Sequence, residues 1–375
     1  MKIGVIGYGK RINSIVELLL MSGECTLSSI ADVDTERVKT RFPALADMNV
    51  RYYDDAEKML DSEELDGILV GTRCSSHTEY ALLAAKYNKP LYLEKPVCTT
   101  YEDLARLKGI MHMNERTVVS FPLRTAKIVE EVKKIVDSGR LGTLSQIQSA
   151  NNVPYGAGYF HKWYKDEAET GGLFLQKSTH DLDYINYIIG NVRPVRVCAM
   201  NSKMIFFGDH PAGLRCRDCP DVDICPETDR VRAMKNDVEV YDNCSFAVDT
   251  GNEDSGSLIV QYENGLHTVY TQNFIARFGA QKRGARIIGY KATLEFDFYT
   301  GEIVIFNHES DKKEVITVED DGSHFGGDKF LAENFIAVMK GSDVSHSTLS
   351  DGILSAEMCL AARKSAKERI FVDIE

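Results

Sequence analysis

The stretch "KIGVIGYGKRI", residues 2–12, decides how the first third of this chain is to be read. A short β-branched run leads into Gly7 and Gly9, and a segment with helical apolar spacing, Ile12–Met21, begins directly afterwards. A tight glycine turn between a strand and a helix lets the backbone approach a pyrophosphate and turns the helix's unpaired N–H groups toward it. The third glycine of that fingerprint is absent, with Ile12 in its place, so the stretch alone also fits an ordinary tight turn between strand and helix.

Working outward, apolar runs recur at 27–32, 67–71, 90–94 and 117–121, separated by helical segments such as Thr78–Tyr87 and Tyr101–Met111. That alternation predicts βαβ units and a doubly wound parallel sheet over residues 1–122, with the boundary near Pro122. The second run ends in "ADVD", and Asp32 falls where a carboxylate would accept hydrogen bonds from the adenosine ribose. A 2′-phosphate would meet it as a like charge, so NAD is expected rather than NADP. The competing reading has Asp32 or Asp34 capping a helix that starts near Thr35.

Composition bounds what such a chain can do. Its 375 residues, 43% hydrophobic and 27% charged, suffice for two domains with their own cores. A net charge of -12 argues against nucleic acid and anionic membranes, which reward clustered Lys and Arg. No apolar run reaches the roughly 18 residues needed to cross a bilayer, and no signal-peptide pattern opens the sequence, so a cytoplasmic protein is expected. Cys25, Cys74, Cys98, Cys198 and Cys359 are scattered singly through apolar segments, as reduced core thiols are.

"YLEKPV", residues 92–97, places an acid, a base and a proline where the fifth strand leaves its sheet. Ligands of open α/β sheets bind at that carboxyl edge, so Lys95 is expected to point toward the nicotinamide end of the cofactor. An adjacent Glu94–Lys95 surface ion pair is the plainer alternative.

Together "GVIGYG", "ADVD", "LYLEKPV" and "GGLFLQKSTHDLDYINYIIG" resemble the Gfo/Idh/MocA family of sugar and cyclitol oxidoreductases over nearly the whole chain. The resemblance implies an N-terminal Rossmann domain (1–122) and a C-terminal α+β domain (123–375) with a large, mostly antiparallel open sheet. It implies that Lys95 touches both substrate hydroxyl and cofactor and that His180 takes the proton. The family pattern has an aspartate four residues before that histidine; here Gln176 stands there and Lys177 follows, so the acid–base set becomes Lys95, Gln176, Lys177 and His180. An ammonium at Lys177 facing the pocket would lower the pKa of His180. Expected cofactor contacts are Gly7, Gly9, Lys10, Arg11, Ile12, Asp32, Thr72, Arg73, His77, Glu94 and Lys95; expected substrate contacts are Lys95, Arg124, Trp163, His180 and His324, with Asp328 near them.

The second half reads as an amphipathic helix within 124–144 stopping at Gly139, then alternating strands over 257–274 and 285–306 with a hairpin at Glu263-Asn264-Gly265. An open sheet of this kind predicts a homodimer or homotetramer. "RCRDCPDVDICPE" gives Cys216-x2-Cys219-x5-Cys225, and Cys244 completes a set of four inside an insertion at about 201–244. This spacing points to structural zinc, with an iron–sulfur cluster or redox-active thiols as alternatives.

The expected reaction is NAD-dependent oxidation of a secondary hydroxyl of a sugar, sugar derivative or cyclitol. Two other classes fit the sequence: a redox-cycling glycosidase or lyase that keeps NAD bound, and a non-enzymatic NAD-dependent sensor, against which an intact Lys95 and His180 argue.

Overall fold

Apolar β-branched runs and the helical stripes between them fold as two units. One holds Met1–Val129, Leu182–Tyr184 and Asp320–Glu357; the other holds Glu130–Asp181, Ile185–Glu319 and Met358–Glu375. The structure, a computed structural model, describes residues 1–190, 192–228, 242–277, 279–319 and 322–375.

In the first unit the strands are β1 (Lys2–Ile6), β2 (Thr26–Ala31), β3 (Arg51–Tyr53), β4 (Gly67–Val70), β5 (Leu91–Leu93) and β6 (Thr117–Val119). They form one sheet in the order β3-β2-β1-β4-β5-β6, every pairing parallel. This is the doubly wound order whose reversal beside β1 makes a ligand crevice at the carboxyl ends of the strands. β3 has no counterpart among the sequence-predicted runs, because three half-exposed residues at a sheet edge carry too little apolar signal. Helix Lys10–Met21 buries Ile12, Ile15, Val16 and Leu19, spacing that lays one face on the sheet. The late helix Gly327–Lys340 adds Leu331, Phe335, Ile336 and Val338 to the same core, so residues far along the chain complete the first unit.

The second unit is built on β7 (Leu144–Asn152), β8 (Pro194–Ser202), β9 (Ser255–Tyr262), β10 (His267–Asn273), β11 (Lys282–Gly289), β12 (Ala292–Asp297), β13 (Glu302–Asn307), β14 (Lys313–Thr317) and β15 (Val372–Asp373). The sheet order is β14-β13-β12-β11-β7-β10-β9-β8-β15, antiparallel throughout except for β7 beside β10. The expected hairpin joins β9 to β10, with Gly265 at φ 90° supplying the turn. One face is covered by helix Thr179–Ile189, where Tyr262 Oη donates to Asn186 Oδ1 at 3.0 Å, and by the last helix, whose Ser365 Oγ accepts from Ala199 N–H at 2.8 Å. Strand alternation leaves the other face open, as in the buried-exposed repeat of β9.

A second cluster, Val153, Ala157, Phe160, Leu173, Phe206 and Phe274, anchors the loop after β7 to the start of the cysteine-bearing insertion. Within the insertion, Asp242 holds Arg215 (3.0 Å) and Arg217 (2.5 Å), and residues 229–241 lie outside the described residues. Among the described residues no helix is long and apolar enough to cross a membrane.

Candidate active site

The glycine turn is the first element of the site. Gly7 sits at φ +77°, and a Cβ there would lie 2.7 Å from the Thr72 backbone, so only glycine can occupy the crossing of β1 and the loop after β4. At Gly9 a Cβ would meet nothing within 4 Å, and the helix beginning at Lys10 has no side-chain N-cap. A helix start with open room beside Gly9 and no side-chain cap is the kind of backbone arrangement that can receive a phosphate. The missing third glycine has a physical substitute: a Cβ on Gly71, at the end of β4, would lie 2.5 Å from Ile12. The room that close helix–strand packing needs is thus made on the strand rather than on the helix. Lys10, Thr72 and Arg73 lie around this turn at the exposed or half-exposed edge.

Asp32 is buried, and its carboxylate accepts from Tyr8 N–H (2.8 Å) and Asp34 N–H (2.9 Å), while Arg37 Nη2 stands 3.3 Å away. The helix cap is supplied by Asp34, which accepts from Arg37 N–H. The two readings of "ADVD" therefore fall on two residues. Asp34 caps, and Asp32 fixes the glycine turn with lone pairs left for a ribose hydroxyl. These residues fit a bound dinucleotide.

Glu94 does not pair with its neighbour in sequence. It is buried and accepts from Arg11 Nε at 3.1 Å, and Arg11 also makes a bidentate pair with Asp328 (2.6 and 2.8 Å) and donates to Ser120 Oγ (2.9 Å). His324 closes the set, its Nδ1 2.7 Å from Asp328 Oδ2. Burial favours the neutral acid, but the His324 hydrogen bond and the Arg11 charge together hold Asp328 well below the usual carboxylate range. His77 is buried with Nδ1 2.7 Å from the Pro96 carbonyl and Nε2 3.2 Å from that of Thr72, so it ties the Glu94-Lys95-Pro96 exit to the loop after β4. Burial holds its pKa below the ordinary histidine value. Arg11, His77, Glu94 and His324 thus shape the strand ends from beneath. Arg124 also turns inward, clamping Asp183 (3.0 Å through Nε) and Asp351 (2.9 Å). A hollow lined by Lys2, Leu60, Glu63 and Tyr87 opens at the opposite, amino-terminal edge of the strands, away from this chemistry.

In the second unit the motif "FLQKS" forms a π-helical turn, Phe174–Ser178, running directly into helix Thr179–Ile189. Such turns occur frequently at functional sites. Gln176, Lys177 and His180 are all buried. Asp181, beside His180, is fully buried and bound by Arg283 (2.8 and 3.1 Å), Asn151 (2.8 Å) and the Tyr270 hydroxyl (3.0 Å), which fastens the helix start to β7, β10 and β11. Ser178 adds a 2.8 Å bond to Gln272 of β10. Sequence reasoning missed Asp181 and Arg283, although Asp181 lies within the quoted motif. Its partner is 102 residues away, and no local spacing shows that.

Lys177 donates to the Tyr155 hydroxyl at 2.6 Å and lies over the Tyr155 and Tyr159 rings, 4.8 and 5.6 Å from their centroids. Burial and the neighbouring Arg283 charge act to lower its pKa below the ordinary lysine value. Tyr155, Tyr159, Tyr164 and Trp163 form a continuous aromatic ladder, with successive centroids 6.2, 4.9 and 4.0 Å apart. Trp163 is therefore a half-buried member of an aromatic surface.

Cys216, Cys219, Cys225 and Cys244 line one small pocket with His161 and His210. Zinc or an iron–sulfur cluster on them finds no support: among the described residues no group of three or more His, Cys, Asp or Glu is placed to hold a metal ion. Sequence spacing brings the sulfurs to one neighbourhood without setting them around one point. Burial, and after it the neighbouring cysteines and Asp242, push the Cys216 thiol up to about 12.

Comparison with known proteins agrees with this architecture. Residues 1–121 match the oxidoreductase family with an NAD-binding Rossmann fold, and residues 129–295 match the GFO/IDH/MocA C-terminal domain. YteT of Bacillus subtilis, named as an oxidoreductase, is 23% identical over 82% of this chain and 81% of its own length. Myo-inositol 2-dehydrogenase of Thermotoga maritima is 29% identical, over 51% of this chain and 55% of that protein, so the match spans about half of each. Inositol 2-dehydrogenase of Klebsiella pneumoniae is 27% identical over 66% and 69%. Among solved structures, levoglucosan dehydrogenase in complex with NADH and levoglucosan has the same fold, with a TM-score of 0.76 at 16% identity over 100% of this chain and 99% of that one. With both halves matched to domains of one family, the chain belongs to the Gfo/Idh/MocA oxidoreductases and is a dehydrogenase of the NAD(P)-dependent class.

Proposed function

We propose that this dehydrogenase oxidises a secondary hydroxyl of a sugar, sugar derivative or cyclitol, with Lys95 and His180 handling the hydroxyl and its proton. The observation that carries the reading is the anchored helix start. His180 follows the π-helical turn and is held in place by the Asp181 network, in the same unit as an aromatic ladder suited to the C–H faces of a polyol ring. An imidazole is a side chain suited to serve as a base at neutral pH. Lys95 leaves the carboxyl end of β5, the edge at which open α/β sheets bind ligands. When bound, NAD supplies the hydride acceptor. The Gly7–Gly9 turn would receive its pyrophosphate and Asp32 its adenosine ribose, which favours NAD over NADP. The relatives named inositol 2-dehydrogenase support a cyclitol or sugar as substrate. We further propose that the working form is a homodimer or homotetramer built on the open sheet face.

The test incubates the protein with NAD and, separately, inositols, hexoses, amino sugars, sugar acids and their glycosides, following NADH formation. Stoichiometric NADH with one class of polyol is the expected result. A flat trace with glycoside cleavage in the same wells would overturn it in favour of the redox-cycling lyase.

A further inference from the structure

Lys177 is a buried ammonium whose hydrogen bonds go to two phenols, Tyr155 Oη at 2.6 Å and Tyr159 Oη at 3.4 Å. Asp181, which adds a favourable charge from nearby, is committed to Arg283, Asn151 and Tyr270. A buried cation is tolerated only when an anion or several dipoles compensate it, and of the two phenols Lys177 reaches, Tyr155 is the nearer and the more exposed. Tyr155 is 54% exposed, whereas Tyr159 is half-buried against Phe274 and Tyr164. Lys177 lies on the π-helical turn three residues before His180, one position after Gln176, a side chain that can neither hold charge nor take a proton, and Tyr155 reaches it from the loop after β7.

Resting on the dehydrogenase reading, we propose that Tyr155 is a further catalytic residue, the final acceptor of the substrate hydroxyl's proton, with Lys177 as the positioning residue that holds its oxygen. In oxidation the substrate O–H bond breaks, His180 takes the proton and passes it on, and that proton forms the phenolic O–H of Tyr155 while His180 returns to its starting state. The carbinol C–H pair leaves as hydride to the nicotinamide of NAD, and C=O forms; reduction reverses each transfer. The charges facing the phenol agree with this. Lys177 is the largest influence and lowers the Tyr155 pKa; burial opposes it, Arg283 adds to it and Asp181 opposes it. Tyr159 is raised well above the ordinary tyrosine value, first by burial, and so remains a phenol, and Tyr299, raised to about 12 chiefly by burial, does too.

Two readouts test the assignment separately. Without substrate, a pH titration of phenolate absorbance in the NAD complex should show one tyrosine ionising below the rest. That step should be absent in Tyr155→Phe and moved to higher pH in Lys177→Met. With an oxidised polyol, Tyr155→Phe should lower kcat about 10²-fold with NADH affinity unchanged. Lys177→Met should move the rising limb of the kcat/KM profile to higher pH, and Lys177→Arg should leave it near its wild-type position. Wild-type turnover in Tyr155→Phe would overturn the proposal while leaving the dehydrogenase reading intact. If wild type oxidises no polyol, the dehydrogenase reading fails and the absorbance titration decides the pair: identical curves for wild type and Tyr155→Phe overturn it.

Discussion

At Gly7 an added methyl group would stand 2.7 Å from the Thr72 backbone in a residue already at φ +77°, whereas at Gly9 it would meet nothing within 4 Å. The two glycines of one turn therefore do different work. Gly7→Ala should cost about 1–3 kcal/mol of stability, from a left-handed backbone that L side chains resist, and should weaken cofactor binding as well. Gly9→Ala should leave stability within about 0.5 kcal/mol of wild type, yet fill the space a pyrophosphate needs and raise the NADH dissociation constant about tenfold. Thermal melts combined with NADH fluorescence titration separate the two effects. Equal melting temperatures for both variants would show that the turn is not organised this way. Asp32 is argued the same way. Its carboxylate braces the turn through Tyr8 N–H, with Arg37 beside it. Asp32→Ala should lose affinity for NAD and gain relative preference for NADP, since the like charge is gone and Arg37 remains to meet a 2′-phosphate. An unchanged NAD-to-NADP ratio would remove Asp32 from cofactor choice.

Between elements, two buried ion-pair networks hold the two units internally. In the first unit Arg11 joins the first helix to Glu94 at the end of β5 and to Asp328 at the start of the late helix. Asp328→Asn should destabilise by about 3 kcal/mol, because it leaves a largely desolvated guanidinium without its main partner. Asp328 has a folded-state pKa held below its unfolded value, so its contribution is complete above the ordinary carboxylate pKa of about 3.9 and is lost as pH falls below that. Denaturant melts from pH 8 to pH 5 should show a constant difference between wild type and variant, narrowing only in acid. A difference that grew as pH fell from 8 to 6 would mean that protonation of His324 beside Asp328 governs the network. In the second unit, Arg283→Met should destabilise by about 3–5 kcal/mol by stranding the buried Asp181, and should lower turnover by loosening the helix start at His180. A variant of wild-type stability and activity would remove that network from the mechanism. These networks also mark where the sequence stopped being legible. The doubly wound sheet, the β9–β10 hairpin and the helix stop at Gly139 are local patterns, and periodicity or a single glycine exposes each of them. Arg11 with Asp328, Asp181 with Arg283, and Ile12 against Gly71 pair residues tens to hundreds of positions apart, where no spacing rule reaches. The four cysteines show the converse: a spacing that suggests a metal, and side chains that line one pocket without being placed to hold one.

For the whole molecule, the strand register fixes what the open face of the nine-stranded sheet offers a partner. One row across it runs Cys198, Ile259, Val269, Gln148, Arg286, Glu295, Val304 and Val315, apolar at both ends and polar in the middle. Ile259 and Val315 are 46% and 48% exposed, too apolar a pair for a face that meets only water, while the central Arg286 and Glu295 pair with each other at 3.5 Å. A row with this order suits a two-fold partner, in which apolar ends can meet apolar ends and the charged centre meets its own image. Light scattering coupled to size exclusion should therefore give a mass of two or four chains. Ile259→Glu together with Val269→Glu should shift it toward one chain, since each places a charge where burial against the partner is expected. The internal fold should survive, because these side chains lie on the face away from the helices, and circular dichroism should be unchanged. A wild-type mass of one chain at micromolar concentration, or a double variant that stays fully associated, would show that this face is not where copies meet.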